Sequence, residues 1–75
     1  MADYLAELAL IDNPNDPLPE PKTFSGPNDE DAKAFARDWA WDECGKRNLT
    51  RGALLRLRGG TINGLHTERI DPTAL

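Results

Sequence analysis

Hydrophobic and polar positions alternate from Tyr4 to Ile11. Tyr4, Ala6, Leu8 and Leu10 form an apolar set, and Leu5, Glu7, Ala9 and Ile11 form a second set interrupted by Glu7. A period of two predicts a strand with one fully buried face. The rival is a short helix, because Ala, Leu and Glu are good helix formers. The strand is preferred, since both sides are too apolar for an exposed helix and Asp12-Asn13-Pro14 ends the pattern abruptly.

A different pattern runs from Asn28 to Cys44. Asn28 is suited to cap a helix, and Asp29, Glu30 and Asp31 fill the first turn, where the helix dipole favours negative charge. Gly45 is placed to stop it, with Lys46 and Arg47 close to the negative end. Ala32, Phe35, Ala36, Trp39 and Ala40 fall on one stripe, which predicts that Phe35 and Trp39 are core residues. Trp41 lies off that stripe, about 120° from Phe35 on a 3.6-residue repeat. It is either packed against the Pro-rich segment or exposed as an anchor.

Between these elements, residues 13–27 hold five of the six prolines and read as a loop of extended or polyproline-II character. Within it, Lys22-Thr23-Phe24-Ser25 could add a brief edge strand, with Phe24 pinning the loop to the core. Further on, Ala53 to Arg58 alternates again, and Leu65 to Ile70 is a weaker strand. Both Gly59-Gly60 and Asn63-Gly64 are hairpin signals, and they imply different registers. A second helix over residues 50–58 is the alternative to the first of these strands. Gly52 and the Leu–Arg alternation count against it. Residues 71–75 read as a frayed tail. The expectation is an α+β domain, β-α-β-β, in which a three-stranded antiparallel sheet carries one helix on one face.

Length and charge narrow the function. A chain of 75 residues makes one small domain with a thin stability margin and little room for a deep reaction chamber. A single cysteine excludes an internal disulfide. No apolar run reaches the ~20 residues of a membrane span, and no basic leader precedes the first apolar stretch, so a cytoplasmic location is expected. The charges are segregated. Residues 1–45 carry eleven acids against three bases, and residues 46–75 carry six bases against two acids.

The chemistry-bearing residues are few. One Cys44 and one His66 do not make a zinc site; a nucleophilic Cys–His pair would need the two to meet in space, and the expectation is instead a thiol at a helix end and a surface His on a strand. Gly59-Gly60 lacks a phosphate-loop fingerprint. Leu55 to Gly60 is identical to the C-terminal hexapeptide of ubiquitin, but nothing upstream resembles that fold, and a strand entering a glycine turn accounts for it. On the helix, Asp31, Asp38 and Asp42 lie along one side, next to Phe35. Such a cluster suits contact with a basic partner surface, where charge speeds encounter and confers specificity. The run Lys46, Arg47, Arg51, Arg56 and Arg58 is the competing feature. It lacks the interleaved aromatics that stack on bases, so internal pairing of Arg56 and Arg58 with the acidic helix or Glu68 is expected.

In size, acidity and element order the chain resembles the small acidic proteins of phages and mobile elements, the anti-CRISPR proteins among them. The resemblance implies a protein-binding inhibitor that occupies a nucleic-acid-binding surface of its target; no motif carries it, and it transfers no residue. The reading is therefore a non-enzymatic inhibitor or modulator without cofactor or metal. Asp31, Asp38, Trp41 and Asp42 would contact a basic protein. A small nucleic-acid-binding regulator using Lys46 to Arg58 is the alternative.

Overall fold

Five strands and one helix make up the molecule in a computed structural model, which describes residues 1–71. They are β1 (Ala2–Leu10), β2 (Asn13–Pro17), β3 (Lys22–Gly26), α1 (Asp29–Lys46), β4 (Ala53–Gly59) and β5 (His66–Ile70). The α+β class and the single helix agree with the sequence pattern. The three-stranded sheet and the β-α-β-β order do not: the sheet has five strands, all antiparallel, with β1 at its centre. One edge of β1 pairs with β4 from Tyr4 to Leu10, and β5 follows β4. The other edge is shared, with β3 along Ala2–Ala6 and β2 at Ala9 and Leu10.

The two added strands come from the Pro-rich segment. A proline fixed near φ −65° tolerates extended backbone, and its missing N–H costs no ladder bond at a sheet edge. Pro14 and Pro17 lie in β2, which is such an edge, and the pairing there is irregular between Ala9 and Leu10. Lys22–Gly26 is paired over its whole length, with Phe24 opposite Tyr4.

The helix–sheet seam also departs from the expected stripe. The helix buries Ala32, Ala36, Ala40 and Cys44, one small residue per turn, against Tyr4, Ala6, Leu8, Leu55, Leu57 and Ile70. Phe35 is 45% exposed and Trp39 is half-buried. The alanines of the stripe are core, whereas its aromatics flank the seam. Small residues let the helix backbone settle close to the leucines of the sheet, and a central phenylalanine would hold it off. Phe35 instead packs tilted against Phe24, with ring centroids 4.4 Å apart, and Phe24 stacks on Tyr4 at 5.5 Å.

The ends of the helix follow from local chemistry. Asn28 accepts from the Asp31 amide at 2.8 Å. Gly45 does not end the helix, which continues to Lys46, and Asn48 takes the left-handed conformation at φ 57°. Asparagine is among the few side chains that visit this region routinely. The Leu49 amide then closes on the Cys44 carbonyl at 2.9 Å.

Both hairpin signals fall in the β4–β5 connection. Gly59 has φ 121° and lies so close to β1 that a Cβ there would meet the Asp3 carbonyl oxygen. Gly64, at φ 81°, faces open space. The Gly-Gly pair is therefore fixed by packing, and the Asn-Gly pair only by backbone angle. Of the tail, only Asp71 falls within the described residues.

Two substitutions on the helix should separate seam from flank. Replacing Ala36 by Leu should cost about 1–3 kcal/mol through overpacking. Replacing Phe35 by Ala should cost less than the 3–5 kcal/mol typical of a core phenylalanine. Urea denaturation of the two variants reads the difference directly, with Leu55→Ala, expected to cost about 2–5 kcal/mol, as the buried reference.

Candidate functional site

On an α-helix, residues 31, 35, 38 and 42 stay within about 60° of one another, so they line one side. In the fold this side is the exposed flank of α1: Asp31, Phe35, Asp38 and Asp42 are all exposed. The four side chains are thus brought together as the spacing indicates, with an exposed ring among three carboxylates. Asp42 is bound to Lys46 one turn on, at 3.2 Å. Asp31 is joined to its own cap, Asn28. Among the described residues neither Asp31 nor Asp38 forms an ion pair with a lysine or arginine. Trp41 does not join them. It is half-buried and packs against the hydrophobic core, so it serves the fold more than a free surface.

Every cation of the 46–58 run has an acceptor. Lys46 takes Asp42, which together with the nearby Glu43 holds its ammonium above the usual lysine range. Arg47 donates to the Pro19 carbonyl at 2.7 Å and approaches Glu43 and Glu20. Arg51 reaches Asp12 at 3.3 Å, Arg56 the Pro14 carbonyl at 3.1 Å, and Arg58 Glu7 at 3.5 Å. The internal use of Arg56 and Arg58 agrees with expectation, but their partners differ. They lie on the sheet face opposite the helix, since side chains alternate along β4, and so cannot meet the acidic helix. Glu68 is taken instead by Arg37, with bonds of 2.7 and 2.9 Å that draw the carboxyl below its ordinary range.

The sheet face away from the helix carries Asp3, Leu5, Glu7, Leu54, Arg56, Arg58, Thr67 and Arg69 in mixed sign. A hollow of about 580 Å³ opens there between β3, β1 and β4, lined by Asp3, Leu5, Thr23, Ser25 and Arg58. Ser25 donates to Asp3 at 2.9 Å. Its charges are already matched.

Asp29 is the polar centre that the sequence pattern conceals. Read as a dipole-complementing residue, it also accepts from the Tyr4 hydroxyl at 2.6 Å, from the Thr61 amide at 3.2 Å and from the Thr61 hydroxyl. The hydrogen bond to Asp29 pushes the Tyr4 phenol up to about 12. Bonds from Thr61 and then Tyr4 hold the Asp29 carboxyl below its usual range. The contacts span 25 and 32 residues, a separation with no local signature. They tie the start of the helix to β1 and to the turn after β4.

Cys44 and His66 do not form a site. Cys44 is buried at the end of the helix seam, and burial pushes its thiol up, away from the reactive thiolate. His66 pairs in register with Leu57 on the far strand, and its Nε2 has no hydrogen-bond partner among the described residues. Among the described residues no group of three or more His, Cys, Asp or Glu side chains could hold a metal ion, and no helix is long and apolar enough to cross a membrane.

Comparison with protein-family models, with characterised proteins and with solved structures finds no match to this chain. The functional reading therefore rests on the residues themselves.

The Asp29 cluster sets a dependence on pH. Because the folded-state carboxyl is lowered, its contribution is complete above the unfolded value near 4 and disappears as pH falls through the folded one. The raised Tyr4 phenol gives the opposite limb: its contribution is complete below about 10 and is lost as pH rises towards about 12. Thermal melts of the wild type and Asp29→Asn should differ most at neutral pH, and the difference should shrink as pH falls below about 4. Parallel melting curves across that range would contradict the assignment.

Proposed function

We propose that this protein acts by binding, without catalysis, and that the exposed flank of α1 inhibits or modulates a partner through that partner's basic surface. The observation that carries this reading is the line Asp31–Phe35–Asp38–Asp42, with an exposed aromatic ring among exposed carboxylates on a rigid helix. An apolar ring ringed by charge is suited to a protein contact, because the ring supplies buried area and the carboxylates supply steering. Carboxylates one and two turns apart also present negative charge to a surface built for phosphates, which favours a nucleic-acid-binding partner. That in turn is in keeping with the resemblance to small phage and mobile-element inhibitors and with action inside the cell. Trp41 is not part of the proposed surface, since its packing commits it to the core.

The reading as a nucleic-acid-binding regulator is less well supported. Its cations, Lys46 to Arg58, are each engaged by a carboxylate or carbonyl of the same chain, and they are divided between the helix end and the far sheet face. Exposed ion pairs are individually weak, so they do not prevent phosphate contact, but a divided patch lacks the clustering that duplex binding requires.

Two measurements test the proposal together. Fluorescence anisotropy with duplex DNA in about 150 mM salt should show nothing tighter than the non-specific range of 10⁻⁴ to 10⁻⁶ M. Sub-micromolar binding lost in Arg56→Ala and Arg58→Ala would instead establish the regulator. Crosslinking to host extract, followed by identification of the partner, should give a complex whose association rate falls with salt. Asp38→Lys combined with Asp42→Lys should slow association and flatten that dependence while leaving the fold intact. Salt-independent association, unchanged in the double variant, would remove the helix flank from the interface.

A further inference from the structure

The β4–β5 connection is pinned at both ends and open in the middle. On one side the Ile62 amide donates to the Gly59 carbonyl at 3.0 Å, and Thr61 is bonded to Asp29. On the other, His66 enters the ladder opposite Leu57. Between them Asn63, Gly64 and Leu65 are exposed and form no hydrogen bond among the described residues. Gly64 has φ 81°, and a Cβ placed there would meet nothing within 4 Å. The Gly64 nitrogen thus lacks both a hydrogen-bond acceptor and a side chain to screen it, and it directly follows an exposed carboxamide.

Asparagine is among the thermolabile residues. Its lability comes from the next backbone nitrogen, which can attack the side-chain carbonyl carbon when it is unengaged and able to turn. Glycine gives the chain that freedom. The other four asparagines are each blocked by a different feature. Asn13 precedes Pro14, whose nitrogen carries no proton. Asn15 lies in β2 before Asp16, whose negative charge opposes loss of the amide proton. Asn28 caps the helix, with its side-chain oxygen held by the Asp31 amide at 2.8 Å. After Asn48, the Leu49 amide is committed to the Cys44 carbonyl at 2.9 Å.

We propose that Asn63 is a modification site, at which the folded chain deamidates itself. The Gly64 nitrogen gives its proton to base and attacks Cγ of Asn63. The N–Cγ bond forms, the Cγ–Nδ2 bond breaks, and the side-chain nitrogen takes up a proton and leaves as ammonia. Water then opens the five-membered imide at one carbonyl or the other. One opening gives aspartate. The other gives isoaspartate, in which the main chain runs through the side-chain carbon. One water enters and one ammonia leaves, with no oxidant or reductant. The product adds one negative charge to the formal −4 of the chain. The change falls between the anchors at Thr61 and His66, so α1 and its seam keep their contacts.

The purified full chain, held warm at neutral and at mildly alkaline pH, provides the test. Its mass should rise by the single unit that replacing an amide with an acid brings, faster at the higher pH. Trypsin cuts after Arg58 and Arg69 and releases a peptide whose sole asparagine is Asn63. That peptide should separate into two new species, one of them a substrate for isoaspartyl methyltransferase. Asn63 should convert about tenfold faster than any other asparagine, which corresponds to a barrier lower by about 1.4 kcal/mol. Asn63→Gln, which would have to close a six-membered ring, should fold normally and lose the mass gain. Amide shifts in the aged wild type should stay between Thr61 and His66. Equal conversion at all five asparagines, or a mass gain that persists in Asn63→Gln, would overturn the proposal. Conversion in the isolated peptide but not in the folded chain would show the turn to be closed to attack and would overturn it as well.

Discussion

Close approach of α1 to the sheet is the constraint on which the rest depends. One small residue per turn, Ala32, Ala36, Ala40 and Cys44, lets the helix settle on Leu55 and Leu57, both fully buried. A seam this narrow has no room for large rings. Phe35 and Trp39 are displaced to the sides, and the carboxylates of the same helix are carried outward with them. Position on the surface is here a consequence of packing in the core.

Two further features hold that geometry. The Asp29 cluster joins the helix start to Tyr4 and Thr61, and the Arg37–Glu68 pair joins the helix middle to β5. From the same Tyr4, the ring contacts Tyr4–Phe24–Phe35 tie β1, β3 and the helix together. The acidic side of the helix is in this way mounted on a fixed support. A surface held so rigidly loses little conformational entropy on binding, which matters for a chain with so small a core.

Much of this was legible from residue order alone, and the exceptions have physical causes. The period-two alternation of β1 and β4 and the cap-to-dipole grammar of α1 identify those elements, because each signal is local. β2 was concealed by Pro14 and Pro17, whose chemistry forbids a central strand but not an edge. The aromatic stripe misled because amphipathic counting rewards size, whereas a tightly packed seam rewards smallness; Ala32, Ala36 and Ala40 were on the stripe but in the shadow of Phe35 and Trp39. The acidic line of Asp31, Asp38 and Asp42 could be read from spacing, but its place on the side of the helix away from the sheet could not, since that depends on which residues form the seam. Trp41 was open between two roles, and only packing against the core separates them.

The seam is best tested by nuclear Overhauser contacts in the full chain. The methyl groups of Ala32, Ala36 and Ala40 should show contacts to sheet side chains, Leu55 and Leu57 among them, and the Phe35 ring should show contacts to Phe24 but none to those leucines. Strong contacts from the Phe35 and Trp39 rings to Leu55 and Leu57, with the alanine methyls facing solvent, would rotate the helix about its axis. That result would turn the acidic line towards the sheet and contradict the account.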